Sequence, residues 1–251
     1  MKYQVHYVFC LISVFIFSVT VSAQDLLIGK TAVDVTSSGY IHSEDIIGDV
    51  YFDAETQTLT LSDVTLTHGL IQNNQVKWLN ICLKGENRIV NQVGGLFLLK
   101  PTRISGDGSL MISCGGNYSD IYHEASLLIE ECKIDVGCIR GTFQAFLEVR
   151  YASITSQRGI FWHSGLVLKD CEIVKPHGGV YDGIEHAISL RGRFYQGTVV
   201  IERMWSSGIA ETEVKEGKTE FYDLQGRRTT QPGKGFYLVR NAKGHVQKVV
   251  R

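Results

Sequence analysis

Proline is scarce, three residues in 251 against 26 glycines. That ratio excludes long rigid linkers and favours many turns at positive φ. Neither sign of charge is in excess, with 25 Lys+Arg against 26 Asp+Glu. No concentrated basic surface follows from such a balance, so a nucleic-acid partner is not expected. No CxxC pair occurs, and beyond residue 23 five cysteines remain: Cys82, Cys114, Cys132, Cys138 and Cys171. An odd count without close pairs argues against a disulfide framework and against a zinc site. These cysteines read as buried small hydrophobes, although an oxidising compartment leaves room for one bridge. Helical periodicity is missing from every segment after the first 23 residues. Gly106-Asp107-Gly108 is a turn rather than a phosphate loop, because neither a helix nor a lysine follows it.

What is present begins with the first residues. Lys2 precedes an apolar stretch from Val8 to Val21, closed by Val21-Ser22-Ala23, small residues at the −3 and −1 positions of an export cleavage site. Residues 1–23 are therefore expected to be a signal peptide cut before Gln24. An uncleaved anchor is the alternative, but the run is short for a span of about 20 residues. Cys10 lies in this run without a lipoprotein cleavage context. The mature chain, with no later span apolar enough for a membrane, is expected to be exported to the periplasm, the cell surface or the medium.

The body repeats. Leu59–Leu66 reads LTLSDVTL, Leu127–Ile134 LLIEECKI, Leu147–Ile154 LEVRYASI and Leu166–Ile173 LVLKDCEI. Apolar residues alternate, and a small or sulfur side chain falls at one place: Val64, Cys132, Ala152 and Cys171. The last three are 20 and 19 residues apart. A second marker precedes each pair of strands: Gly69-Leu70-Ile71, Gly95-Leu96-Phe97, Asp120-Ile121-Tyr122, Gly159-Ile160-Phe161 and, more loosely, Gly137-Cys138-Ile139. The longer gaps hold the polar turn Gln72–Gln75 and the turn Ser105–Gly108, read as loop insertions. A period near twenty identifies a solenoid, since one rung cannot bury its apolar side alone. The expectation is an all-β, right-handed parallel β-helix over 59–204, with small side chains stacked inside a narrow coil. Cys132 and Cys171 would then lie two rungs apart, about 9–10 Å, beyond the reach of a disulfide. A sandwich of antiparallel hairpins would need more two-residue turns than Asp107-Gly108 and Asp182-Gly183. Residues 24–58 read as an N-terminal β cap, and Thr198–Glu202 as a final strand after the break at Pro176–Tyr181.

Residues 205–217 turn polar and linker-like, and 218–251 read as a small antiparallel β-module with strands Glu220–Leu224, Gly235–Arg240 and Val246–Val250. Arg227, Arg228, Lys234, Arg240, Lys243, Lys248 and Arg251 make it basic, which suits a docking signal or simply a solvated face. This tail resembles the C-terminal sorting modules of exported Bacteroidetes-type proteins read by the type IX secretion system. The resemblance rests on Tyr222, Asp223, Leu224, Gln225, Gly226 and Arg227, then Gly235, Phe236, Tyr237, Leu238 and Val239, then the basic strand 245–251. It is shorter than such modules usually are. The body resembles secreted solenoids of such bacteria labelled carbohydrate-binding-like. The carrying segments are DVYFDAETQTLTLSDVTLT from Asp49, LKGENRI from Leu83, ISGDGSLMI from Ile104 and PHGGVYD from Pro176. The resemblance implies glycan binding and, for the tail, a secretion-machinery partner. It brings no catalytic motif.

Sugar binding rests on exposed aromatic faces with polar groups beside them. Trp78, Tyr118, Tyr122, Trp162 and His163 are the ligand-binding candidates, and Tyr151 and Phe161 are further aromatics; for each, core packing or turn covering competes. Glu130, Glu131, Asp170 and Glu172 are the acids from which a lyase or glycosidase would draw, beside Lys133, Arg150 and Lys169, which suit an ordinary solvated face. His163, His177, Asp182 and His186 lack metal-ligand spacing, so neither metal nor cofactor is expected. The leading expectation is a non-catalytic surface or secreted solenoid binding glycan or another cell-surface ligand. A polysaccharide lyase or glycosidase on the same scaffold, and a structural or adhesive protein, are the alternatives.

Overall fold

A computed structural model describes residues 25–92, 94–115 and 119–204, together with four strands between 220 and 250. The expected export segment and linker lie outside the described residues. Four N-terminal strands come first: β1 (Leu26–Gly29), β2 (Thr31–Ala32), β3 (Gly39–Tyr40) and β4 (Ile46–Asp53). The long strand β5 (Thr58–Leu66) leads into about five turns of solenoid. These are β6 (Leu70–Asn73), β7 (Leu79–Lys84), β8 (Glu86–Asn91); β9 (Leu96–Leu98), β10 (Thr102–Ser105), β11 (Ser109–Cys114); β12 (Ile121–His123), β13 (Leu127–Glu130), β14 (Lys133–Val136); β15 (Ile139–Arg140), β16 (Phe146–Arg150), β17 (Ser153–Ser156); and β18 (Ile160–Phe161), β19 (Gly165–Lys169), β20 (Cys171–Lys175).

Strands at equivalent places stack in parallel and form three ladders. The first is β6-β9-β12-β15-β18, the second β7-β10-β13-β16-β19 and the third β8-β11-β14-β17. Strand β5 starts the second ladder through Thr58–Ser62 and the third through Thr65–Leu66. The alternating apolar residues seen in the sequence become columns. Leu59, Ile81, Ile104, Ile129, Val149 and Leu168 lie over one another in the second ladder. The first five are completely buried. Burial of such a side chain is worth about 1.5–3 kcal/mol, and stacking is what makes it available to strands this short. The column Leu79, Thr102, Leu127, Leu147, Leu166 gives steps of 23, 25, 20 and 19 residues, so the early turns are the larger ones.

Details of the expected repeat are corrected. The small side chains Cys132, Ala152 and Cys171 are buried as expected, in one core with the more numerous Leu, Ile and Val. They sit at the corner between the second and third ladders, just after a residue in the left-handed region. Those corner residues are Glu131 (φ 56°), Tyr151 (φ 46°) and Asp170 (φ 52°), with Gly85 (φ 64°) and Gly106 (φ 124°) at the same corner in earlier turns. Val64 also follows such a residue, Asp63, but register takes it out of the cysteine column. Thr65 pairs with Arg88, so Val64 falls beside Asn87. There the Asn87 side chain accepts the Val64 N–H at 3.0 Å and donates to the carbonyls of Lys84 and Ser109 at 3.1 and 3.2 Å. Ile71 rather than Leu70 stacks under Leu96, and Ile139 rather than Cys138 pairs with Ile121. A one-residue slip exchanges inside and outside, which is why Leu70 is half-exposed and Ile71 buried. Gln72 and Asn73, read as turn, belong to β6, where buried Asn73 bonds to both Val76 backbone groups at 2.9 Å.

Antiparallel strands close the parallel run, which limits open strand edges. At the start, β1 pairs with β6 and β4 with β5. At the far end come β21 (Val180–Asp182), β22 (Ala187–Leu190), β23 (Arg193–Phe194) and β24 (Val199–Arg203), with β22 beside β18. Strand β24 inserts between β17 and β20, so β20 does not stack on β17 as the repeat implies. The corner contact survives, with Cys171 Sγ donating to the Ala152 carbonyl at 3.4 Å. All five cysteines are free, and burial pushes the Cys132 thiol up to about 12. The tail forms its own antiparallel sheet in the order β26-β25-β27-β28, from β25 (Glu220–Tyr222), β26 (Arg228–Thr229), β27 (Phe236–Arg240) and β28 (Val246–Val250). Strand β26 is additional to the three expected.

Candidate binding surface on the first ladder

Alternation within the short strands of the first ladder puts one residue of each on its outer face, and in β6 two, Leu70 and Gln72. Register lines up Gln72, Phe97, Tyr122, Arg140 and Phe161 as a single outward row. Phe97 and Tyr122 are stacked, their ring centroids 5.0 Å apart. The Tyr122 hydroxyl donates to Glu124 Oε1 at 3.0 Å, and burial, with that bond, raises its pKa. Next in the row, the Arg140 guanidinium lies 5.7 Å from the Tyr122 ring and 4.0 Å from the Trp162 ring. Trp162 follows β18 in the left-handed conformation, φ 63°. Phe161 contacts Trp162 and Phe194 edge to face at 5.6 and 5.5 Å. Phe143, 63% exposed, lies 6.3 Å from Trp162 and 5.0 Å from His186.

Between these side chains lies a groove of about 430 Å³, lined by Ser119, Cys138, Arg140, Arg158, Phe161, Trp162, Phe194 and Gln196. Among the described residues no carboxylate is in that lining. Arg158 Nη2 stands 3.5 Å from Asp120 Oδ1. Asp120 is buried and also accepts the Gly137 N–H. Burial raises its pKa against the opposing pull of that bond and of Arg158. Arg140 Nε is buried with no hydrogen-bond partner. Two other carboxylates of the body are paired with cations away from the groove. Glu130 meets Arg103 at 3.0 Å, while Glu148 meets Arg150 and Lys169, both at 2.8 Å. Glu131 and Asp170 occupy corners, and Glu172 pairs across the strands with Glu202. Among the described residues no group of three or more His, Cys, Asp or Glu is placed to hold a metal ion.

The structure brings together two of the sequence candidates, Tyr122 and Trp162, with Arg140 between them. Trp78, 72% exposed, occupies the turn before β7, four rungs from Trp162, about 19 Å at the rung spacing. Tyr151 occupies a corner beneath Arg203, whose guanidinium is 5.4 Å from its ring. Tyr118 lies outside the described residues, as do Asp223, Leu224, Gly226, Arg227 and Gly235 of the tail; Tyr222 lies in β25 and Tyr237 in β27.

His163 is not on the surface. It is 1% exposed, and its Nε2 lies 2.9 Å from His123 Nε2. His123 Nδ1 is 2.7 Å from the Ala125 carbonyl, so Nδ1 carries a hydrogen and Nε2 accepts from His163. His163 Nδ1 is then a bare lone pair, buried without a partner. Gly141 leaves the space for this contact, because a Cβ there would stand 2.8 Å from His163 Cδ2. Burial lowers the pKa of His123 to about 4 and that of His163 well below its usual value, with His123 adding to the latter.

Sequence reasoning missed Arg140, Phe143, Phe194 and His123. The aromatic residues could be counted in the sequence, but only the register shows that Arg140 follows Tyr122 in the outward row. No protein-family model matches this chain, and no significant match to it arises among curated proteins or solved structures. The class that the fold defines is a parallel-stranded β-solenoid with antiparallel ends.

Proposed function

We propose that this protein is an exported, non-catalytic solenoid that binds glycan through the far end of its first ladder. One observation carries the reading: the groove of about 430 Å³ is walled by Phe161, Trp162 and Phe194 and holds two arginines. Aromatic walls suit the apolar face of a pyranose, and polar groups between them suit its hydroxyls. Its dimensions fall within the range of small-ligand clefts. A glycosidase would need two carboxylates flanking the bond, and the described residues of the groove lining offer none, which favours binding over hydrolysis. The export signal in residues 1–23 and the basic tail that resembles type IX sorting modules belong to the same reading, with the cell surface or medium as destination.

Affinity electrophoresis through gels containing a panel of polysaccharides tests it. Retardation by at least one polymer is expected, reduced about tenfold or more in apparent affinity by Trp162→Ala, since one aromatic anchor commonly carries 1–2 kcal/mol or more. Absence of retardation by every polymer, or retardation indifferent to Trp162→Ala and Phe194→Ala, refutes the assignment.

A further inference from the structure

We infer that the groove selects an anionic sugar, and that Arg140 is the residue that reads its charge; this rests on the glycan reading above. Arg140 differs from the other half-buried arginines of the solenoid. Arg150 has Glu148 at 2.8 Å, and Arg158 has Asp120 at 3.5 Å. The Arg140 side chain makes no ion pair or hydrogen bond among the described residues, and its Nε is buried. A cation removed from water without a counter-charge is costly. Packing against the rings of Tyr122 and Trp162 offsets part of that cost, and it also holds the guanidinium in one orientation. Among the described residues nothing supplies the remaining compensation, because those that line the groove include two arginines and no acid.

A guanidinium fixed by stacking presents in-plane donors in the fork that fits an oxyanion. The ligand group this calls for is a carboxylate or a sulfate ester on a pyranose, the ring lying against the aromatic wall while the anion meets Arg140. Glu124, bonded to the Tyr122 hydroxyl at 3.0 Å, is not among the residues that line the groove.

The test uses the full mature chain and three kinds of polymer: polygalacturonate for carboxylate, dextran sulfate for sulfate, and unsubstituted dextran and laminarin as neutral glucans. Affinity for one anionic polymer is expected to fall about tenfold or more in Arg140→Met, which keeps the apolar stem against Trp162 and removes the charge. Arg140→Lys, which restores charge without the fork, is expected to recover only part. Wild-type affinity is expected to decline as salt rises. Thermal melting of each variant establishes that it folds, and the wild-type salt series stands independently of the variants. Dependence on Arg140 with polygalacturonate alone assigns a carboxylate; with dextran sulfate alone, a sulfate ester. Neutral glucans bound as tightly as anionic ones, and unaffected by Arg140→Met, overturn the inference and leave glycan binding standing. Anionic polymers bound without any dependence on Arg140 overturn it as diffuse charge attraction. No polymer bound overturns both.

Discussion

Lowering the pH from 7.5 to 5 drives protons toward His123 and His163, and neither has a place for one. A second proton on His123 would set N–H against N–H across the 2.9 Å contact. A proton on His163 Nδ1 would point into a buried site with no acceptor. The folded-state pKa of His123 is depressed from 6.5 to about 4. Below pH 6.5 the unfolded chain therefore binds more protons than the native one. Stability is at its full value above 6.5 and falls as the pH drops toward 4. At 1.36 kcal/mol per unit, His123 alone removes about 2 kcal/mol by pH 5, and His163 acts in the same direction. The carboxylates with lowered pKa, Asp34, Asp53 and Glu148, start from 3.8, 3.8 and 4.5 and lose their contribution mainly below pH 5. Asp120, whose pKa is raised, opposes the trend, because its native carboxyl takes a proton more readily than the unfolded one. Between pH 6.5 and 5 the histidines therefore act, among the described residues, with only Asp120 against them, and removing both histidines separates the two effects. Urea unfolding followed by circular dichroism at half-unit steps should show a steep loss in the wild type. The slope should be much flatter in the double variant His123→Leu/His163→Leu, whatever its absolute stability. A wild type with level stability across that window, or a double variant with the wild-type slope, refutes the argument.

Two further outcomes follow from the packing. Ile129 is completely buried in the second-ladder column, so Ile129→Ala should cost about 2–5 kcal/mol by urea unfolding; less than 1 kcal/mol would mean that the column is not tightly packed. Gly106 has φ 124°, and a Cβ there would lie 2.2 Å from the Leu83 carbonyl oxygen. Gly106→Ala should lower stability by about 1–3 kcal/mol or more, whereas Gly178→Ala, with nothing within 4 Å of its Cβ, should cost less; equal melting temperatures for the two variants would contradict the assigned corner.

The alternating strands and the near-twenty period were readable because they follow from local rules. Side chains on a strand point alternately in and out, and repeated burial leaves a repeated pattern. The pieces LLIEECKI, LEVRYASI and LVLKDCEI became β13–β14, β16–β17 and β19–β20 with bounds close to those read. The corner composition was legible too, though its meaning was not. Cysteine and alanine at the repeated position do face the buried core, but they also follow a left-handed turn, and φ values are not written in residue type.

By itself, then, the sequence determined that the chain makes short strands, that they repeat, and that the repeat ends near Pro176. Tertiary structure alone decided which residues meet. The single-residue shift that puts Ile71 inside, the return of β24 between β17 and β20, and the approach of His163 to His123 across Gly141 all depend on pairings between distant segments. So does the surface proposed for binding. Tyr122, Arg140 and Trp162 are separated along the chain by 18 and 22 residues. They become neighbours because parallel stacking brings one position from each turn within about 5 Å of the next.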